Sequence, residues 1–235
     1  MRKALITGAS SGLGRDLARV LSGRGYDLIL VARRRDRLEA LARTLPTKAH
    51  IICADLSDAG RCKALYDETR SERIDLLINN AGISHIGLLS DMSTAQWRQV
   101  MQTNLDAVFF TCRAAIPHMV RRQKGRILNI SSVWGEVGAS CEAAYSASKG
   151  AVNSLTRALA KELGPSHISV NAISLGVIDT AMNQCFNEEE RQALAEEIPF
   201  GRFASPGEAA AFCCQIAESP EYLTGQILRF DGGWI

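Results

Sequence analysis

The segment Lys3-Ala4-Leu5-Ile6-Thr7-Gly8-Ala9-Ser10-Ser11-Gly12-Leu13-Gly14 decides the fold. Its first part is a short apolar run, which predicts a buried strand. Its second part carries three glycines in the spacing G-x-x-x-G-x-G, which predicts a tight turn into a helix. A strand that passes through such a turn into a helix is the first unit expected of an open α/β sheet.

Short apolar runs and longer amphipathic stretches alternate along the rest of the chain. The runs are almost continuously apolar, as in parallel strands that are buried on both faces. The predicted strands are Lys3–Thr7, Asp27–Val31, His50–Cys53, Leu76–Asn79, Arg126–Ser131, Ile168–Ile173 and Gln226–Asp231. The clearest helix is Ala143–Leu163, with a less regular excursion at about Asp179–Phe203. We therefore expect a single-domain, Rossmann-like, doubly wound parallel sheet of seven strands with helices on both faces.

The composition fits one α/β domain and excludes several classes of function. The 235 residues are 46% hydrophobic and 22% charged, with a net charge of +2, and no block of like charge suggests nucleic acid or a membrane surface. The apolar run after Met1 is too short for a secretory signal, and none reaches the length of a membrane span. Seven cysteines without metal or disulfide spacing favour a cytoplasmic setting and no bound metal.

The glycine turn is expected to bind a dinucleotide. Glycines let the backbone approach a pyrophosphate, and the helix that follows supplies free N–H groups and the positive end of its dipole. An ordinary glycine-rich turn is the alternative, but ligand-binding turns concentrate at this first strand–helix junction. The residues expected to line the site are Gly8, Ser10, Ser11, Gly12, Leu13 and Gly14.

The end of the second strand favours NADP(H) over NAD(H). An NAD enzyme usually places an acid here to bind the ribose 2′-hydroxyl, whereas this chain has Ala32 followed by Arg33 and Arg34. Arginines at a helix start oppose the helix dipole unless an anion compensates them. A 2′-phosphate is such an anion, and a merely solvated basic turn is the alternative.

Tyr145 and Lys149 are the candidate proton-transfer pair. They stand four residues apart in the predicted helix and so share one face. A nearby ammonium stabilises a phenolate, which makes Tyr145 a general acid for a developing alkoxide. Ser132 closes the fifth strand, at the sheet edge where open α/β folds bind ligands, and its hydroxyl is placed to hold a carbonyl oxygen. The Tyr/Lys spacing alone is weak, because such pairs are common on exposed helices.

Together these motifs resemble the short-chain dehydrogenase/reductase family over essentially the whole chain. The matching features, in family order and spacing, are the glycine loop, Asp55-Leu56, Asn79-Asn80-Ala81-Gly82, Asn104, Ser132 and the Tyr145/Lys149 pair. The resemblance implies a catalytic tetrad of Asn104, Ser132, Tyr145 and Lys149, in which Asn104 positions a water that relays protons to Lys149. A non-catalytic NADP(H) sensor and an extended-type epimerase or dehydratase are the rival functions. The first would typically lack Tyr145 or Lys149, and the second would carry a longer C-terminal domain.

The resemblance also assigns the remaining cofactor contacts. It places Asp55 near the adenine and Lys149 on the nicotinamide ribose, and it counts Leu56 and Tyr145 among the residues that bind the cofactor. Val177 and Thr180 would contact the nicotinamide carboxamide. It further implies that Asn80, Ala81 and Gly82 lie beside the cofactor. The chain has Ser174-Leu175-Gly176 where the family usually has Pro-Gly, so we expect a looser turn before Val177. Family members usually pair through two long helices, here about Asp106–Arg122 and Ala143–Leu163, which predicts a homodimer or homotetramer.

The substrate is expected to be a ketone, either a small molecule or one attached to a carrier or protein. The chain resembles 3-oxoacyl-[acyl-carrier-protein] reductases in general and, through residues 131–142, elongation factor P 5-aminopentanone reductases more closely. Trp134, Glu136 and Glu142 lie in the segment expected to wall the pocket. A carboxylate there favours a cationic amino ketone, unless both glutamates simply face solvent. Carrier-protein reductases often have arginines where this chain has Gln123 and Ser166, so both substrates stay open.

Overall fold

The structure is a computed structural model that describes residues 2–183 and 186–235, apart from the side chain of Ala59. It contains seven strands: β1 Arg2–Thr7, β2 Tyr26–Ala32, β3 Ala49–Cys53, β4 Leu76–Asn79, β5 Gly125–Ser132, β6 Ile168–Leu175 and β7 Ile227–Phe230. Its α-helices are α1 Gly12–Gly23, α2 Arg35–Ala42, α3 Ala59–Thr69, α4 Thr94–Met101, α5 Ala107–Arg122, α6 Trp134–Val137, α7 Ala143–Leu163, α8 Glu188–Glu197 and α9 Pro206–Ala217. A π-helical turn, Gln102–Asp106, joins α4 to α5.

All seven strands pair in parallel, in the order β3-β2-β1-β4-β5-β6-β7. The order reverses between β1 and β4, which are neighbours in the sheet although two strands separate them in the chain. In open α/β sheets such a reversal opens a crevice at the carboxyl ends of the strands. The topology therefore places the ends of β1, β4 and β5 around one crevice.

Consecutive residues of each central strand enter different halves of the core. Ile6 and Ile78 pack with α1, α2 and α9 on one face of the sheet. Leu5 and Leu77 pack with α3, α5 and α7 on the other. This two-residue period, with apolar side chains on both sides, is the reason that the strands read as unbroken apolar runs in the sequence.

The predicted fold class is confirmed, and each predicted strand is found with small differences at its ends. The largest difference is in β6, which continues two residues beyond the predicted end at Ile173, to Leu175. Pairing explains the extension: Ser174 and Leu175 lie in register with Ser131 and Ser132 of β5, and with β7 on the other side. Helix α7 has the predicted bounds.

The predicted excursion at 179–203 contains a 3₁₀ turn, Ala181–Asn183, and helix α8, whereas Gln184 and Cys185 lie outside the described residues. In the part of the chain that the structure describes, no helix has the length and apolar character to cross a membrane. The same residues contain no cluster of His, Cys, Asp or Glu suited to a metal ion.

On the helices predicted to pair, Phe109 of α5 is half exposed and Ala158 of α7 is exposed. Assembly into a homo-oligomer stays a prediction.

Candidate active site and dinucleotide site

The junction between β1 and α1 requires glycine at three positions. Gly8 and Gly12 have φ angles of +68° and +51°, in the left-handed region that side chains rarely adopt. A Cβ added to Gly14 would lie 2.2 Å from the carbonyl oxygen of Gly8. The first turn of α1 is therefore pressed directly against the loop, as the predicted dinucleotide-binding turn requires.

The start of α1 fits a pyrophosphate. Ser11, the residue that caps the helix, does not bond the free N–H groups of the first turn with its side chain. Its hydroxyl instead accepts a hydrogen bond from Arg34 at 2.8 Å. The backbone donors and the positive end of the helix dipole are thus left for an anionic ligand. Thr180, predicted from the resemblance, lies against Gly12 and closes one side of this turn.

Arg34 joins the end of β2 to the glycine loop. Its guanidinium donates to the hydroxyls of Ser10 and Ser11, at 3.0 and 2.8 Å. Arg33 is exposed beside it and contributes to lowering the pKa of Asp55. Two arginines and two hydroxyls therefore form one polar, positively charged edge next to the glycine loop. This arrangement suits a phosphate better than the bare hydroxyl of an NAD ribose.

Two loops at the sheet edge are locked together below the cofactor site. The Thr7 hydroxyl accepts hydrogen bonds from the backbone N–H groups of Asn80 and Ala81, both at 3.0 Å. The Asn80 side chain donates to the Thr7 carbonyl oxygen at 2.9 Å. The amide of Asn80 thus holds the loop, and the glycine turn and the segment after β4 act as one surface.

Several of the other predicted cofactor residues have side chains that are buried or already hydrogen-bonded. The side chains of Leu13 and Leu56 are buried in the core, which leaves their main chains for contact. Asp55 accepts hydrogen bonds from the N–H and hydroxyl of Ser57. Burial alone would raise the pKa of Asp55, but these bonds and the charge of Arg33 outweigh it and lower the value. Asp55 is therefore ionised at neutral pH. In the turn before Val177, the N–H of Gly176 donates to the Phe230 carbonyl oxygen at 3.0 Å, and Gly176 lies against the backbone of Asp231.

Asn104 lies in the π-helical turn, and three hydrogen bonds hold its side chain. Its side-chain oxygen accepts from the N–H of Ile83 at 2.9 Å, and its amide donates to the Ile83 carbonyl at 2.9 Å. The same amide donates to the Ser148 hydroxyl at 3.0 Å. A Cβ at Gly82 would lie 3.4 Å from the Asn104 side-chain oxygen and 3.5 Å from the Lys149 ammonium. Asn104 and Lys149 thus flank the same small space.

Ser132 and Tyr145 meet at the carboxyl end of β5. The Ser132 hydroxyl oxygen accepts from the N–H of Trp134 at 3.2 Å, which leaves its own proton for the hydrogen bond with Tyr145. Burial raises the pKa of Tyr145 to about 12, the hydrogen bond with Ser132 opposes this rise, and the charge of Glu142 adds to it. Tyr145 is therefore a protonated phenol at neutral pH, next to a hydroxyl that can hold a substrate oxygen.

The Lys149 ammonium lies one helical turn from Tyr145, on the same face of α7. It donates to the Ile130 carbonyl oxygen at 2.8 Å and lies 5.6 Å from the centre of the Tyr145 ring. Burial lowers the pKa of Lys149 to about 8. Its charge is thus only weakly solvated and is close enough to favour a phenolate that forms on Tyr145.

The two glutamates predicted for the substrate pocket lie in different environments. Glu136 pairs with Arg229, at 3.1 Å, and accepts from the Ser174 hydroxyl. Burial would raise the pKa of Glu136, but these bonds lower it overall. Its charge is already compensated, so the geometry does not support the predicted attraction of a cationic substrate by Glu136. Glu142 accepts from Ser84, and its charge acts on Tyr145.

Trp134 faces a residue that the sequence did not suggest. Its ring packs edge-on against Trp234, with 4.8 Å between the ring centres. Sequence reasoning also missed the bonds of Ser84, Ser148 and Arg229 within the site. Ser148 was open to detection, because it lies three residues after Tyr145 on the same helix. Arg229 and Trp234 come from the far end of the chain, and no local spacing indicates their contacts.

A glycine turn at a sheet reversal with a Ser–Tyr–Lys site at the same edge defines an oxidoreductase that uses a nicotinamide dinucleotide. The family model of the short chain dehydrogenases matches residues 2–191. The chain belongs to the short chain dehydrogenase family and is an NAD(P)-dependent oxidoreductase.

The relatives include enzymes of several names. The chain is 40% identical to the uncharacterized oxidoreductase YmfI of Bacillus subtilis (strain 168), over 99% of this chain and 98% of that protein. It is 35% identical to the 3-oxoacyl-[acyl-carrier-protein] reductase FabG of Aquifex aeolicus (strain VF5), with 98% and 96% covered. A candidate NAD(P)-dependent gluconate 5-dehydrogenase from Beutenbergia cavernae, solved with NADP at low occupancy, superposes with a TM-score of 0.94 at 33% identity. This match covers 99% of this chain and 96% of that one.

Proposed function

We propose that the protein reduces a ketone to a secondary alcohol with NADPH, and that Tyr145 donates the proton to the oxygen. The observation that carries the proposal is the meeting of the Ser132 hydroxyl, the Tyr145 phenol and the Lys149 ammonium beside the glycine turn. The nicotinamide, when bound, supplies the hydride that the carbonyl carbon receives. The test is consumption of NADPH, followed by absorbance, with a panel of ketones.

The protein's own side chains hold the ketone and transfer the proton. Ser132 turns its hydroxyl proton from Tyr145 to the carbonyl oxygen and fixes the ketone against the Tyr145 hydroxyl. As negative charge develops on this oxygen, Tyr145 transfers its proton to it. The Lys149 ammonium, 5.6 Å from the centre of the Tyr145 ring, favours the phenolate that forms as this proton leaves. Asn104, held by Ile83, keeps its side-chain oxygen at the small space that Lys149 also faces.

We expect NADPH to be preferred over NADH, because Arg33 and Arg34 line the edge beside Ser10 and Ser11. Replacing Arg33 with Ala together with Ala32→Asp should shift the preference towards NADH by at least about 1.4 kcal/mol, or tenfold. The ratio of kcat/KM values for the two cofactors measures this shift. Arg37→Ala, which removes an exposed arginine one turn along α2, should leave the ratio unchanged. Equal use of both cofactors by the unaltered protein would contradict the preference.

For the substrate we propose a ketone that bears an amine, such as the 5-aminopentanone adduct on a lysine of elongation factor P. Glu142 supports this choice, because its carboxylate acts on Tyr145 and takes part in none of the ion pairs found within residues 2–183 and 186–235. A substrate ammonium would compensate that charge. A 3-oxoacyl thioester on a carrier protein is the second candidate, favoured by the similarity to the FabG reductase of Aquifex aeolicus.

Glu142→Gln should raise KM for a small amino ketone about tenfold, a loss of about 1.4 kcal/mol in binding, while KM for a short 3-oxoacyl thioester changes little. Glu136→Gln is the matched control, because the Glu136 carboxylate is compensated by Arg229 and should affect both substrates alike. Steady-state kinetics on both substrates decide the matter. Strong activity on the thioester with none on the amino ketone would exclude the amine-bearing substrate.

We also propose a homodimer or homotetramer that pairs through α5 and α7, where apolar side chains such as Phe109 are exposed.

We further propose that the protein works in a reducing, cytoplasmic compartment. The six described cysteines, which are free thiols, agree with this location.

A further inference from the structure

Ser148 lies at the centre of a hydrogen-bond chain that links three segments of the site. Its hydroxyl donates to the Tyr145 carbonyl oxygen at 2.7 Å. The Ser148 hydroxyl oxygen in turn accepts from the Asn104 amide at 3.0 Å, and that amide also donates to the carbonyl of Ile83. Ser148 is fully buried, and Asn104 is 1% exposed. Water therefore does not replace these bonds.

The donors and acceptors of this hydrogen-bond chain allow only one orientation of the Asn104 amide group. A serine hydroxyl has a single proton, and the Tyr145 carbonyl, which can only accept, takes it. Towards Asn104 the Ser148 oxygen can then only accept, so it must face the NH₂ group of that amide. The Asn104 oxygen is left pointing to the N–H of Ile83 and to the space beside Gly82 and Lys149.

We infer that Ser148 is a positioning residue for reduction: it adds to the two Ile83 bonds that orient the Asn104 amide, and it ties this amide to the helical turn that carries Tyr145. This inference rests on the proposed ketone reduction, because it assigns Ser148 to the same site. The residue acts through Asn104 and touches neither the ketone nor the dinucleotide. Its loss should therefore slow turnover without weakening the binding of either.

Ser148→Ala should lower kcat about 10- to 100-fold, as expected when a reacting group is misplaced by a fraction of a bond length. KM for the ketone and Kd for NADPH should stay within about twofold, a binding change well below the tenfold mark. Ser148→Cys keeps a weak donor and acceptor, and should give an intermediate kcat. The cysteine variant also tests the inference if the alanine variant does not fold.

Thr156→Val is the matched control on the same helix. The Thr156 hydroxyl is also fully buried, donates to a main-chain carbonyl, that of Val152, and accepts from an asparagine amide, that of Asn129. It lies two turns beyond Ser148, away from Tyr145. Thr156→Val should lower thermal stability as much as Ser148→Ala does, but should leave kcat near the value of the unaltered protein.

A double-mutant cycle separates positioning from general damage. If Ser148 acts through Asn104, Ser148→Ala should reduce kcat little further in a protein that already carries Asn104→Ala. Additive losses, or an equal loss of kcat in Thr156→Val, would overturn the inference. Absence of ketone reduction in the unaltered protein would instead overturn the proposed function, and the two failures are thereby distinguished.

Discussion

Replacement of Tyr145 with Phe should lower kcat for ketone reduction by about 10²–10⁴-fold, the usual contribution of a positioned general acid. Phenylalanine keeps the ring next to Lys149 and removes only the hydroxyl that meets Ser132. Steady-state oxidation of NADPH measures the loss, and quenching of protein fluorescence by NADPH should show that the cofactor still binds.

Tyr222→Phe is the control for this substitution. Tyr222 is 99% exposed, so removal of its hydroxyl should change neither kcat nor cofactor binding. Near-normal turnover in Tyr145→Phe would show that another group supplies the proton, and the assignment of Tyr145 as the general acid would then be abandoned.

Gly14→Ala should abolish tight binding of NADPH and destabilise the protein by about 1–3 kcal/mol, the usual cost of overpacking. The added Cβ would lie 2.2 Å from the Gly8 carbonyl and 2.6 Å from the Asn80 amide, so α1 must move away from the loop. Thermal denaturation gives the change in stability, and titration with NADPH gives the change in Kd.

Gly23→Ala, at the other end of the same helix, is the matched control. Nothing lies within 4 Å of a Cβ built there, so alanine should raise helix stability by about 0.5–1 kcal/mol. NADPH binding should be unchanged. If Gly14→Ala bound the cofactor as well as Gly23→Ala does, the close packing of α1 on the loop would not be needed for binding.

Most of the fold could be predicted from the sequence because its signals are local. Strands buried on both faces leave continuous apolar runs, and the Gly8–Gly14 turn marks the first crossover. The bounds of α7 followed from helical spacing and from Gly164-Pro165 at its end. The ends of strands such as β6 depend on neighbours that are remote in sequence, and this is the reason that Leu175 was missed.

The sequence could suggest that the four residues of the predicted tetrad lie close together, whereas it could not give their hydrogen bonds. The spacing of Tyr145 and Lys149 places them on one face, but only the structure shows that Lys149 bonds to Ile130. Glu136 and Glu142 looked equivalent, because both lie close in sequence to tetrad residues. Arg229, more than ninety residues from Glu136, makes them different, and ion pairs of such separation leave no local pattern.

The bonds of the Thr7 hydroxyl affect which segments can be exchanged between two proteins of this fold to make a chimera. It holds the segment after β4 through two main-chain N–H groups, which every residue except proline provides. A chimera whose junction falls between residues 8 and 79 would join one parent's Thr7 to another parent's loop and still form both bonds. The Thr7 hydroxyl thus sets no condition on the loop's side chains, whereas the bond from the Asn80 side chain to the Thr7 carbonyl oxygen does. A working chimera must therefore take its threonine from one parent and an asparagine at position 80 from the other.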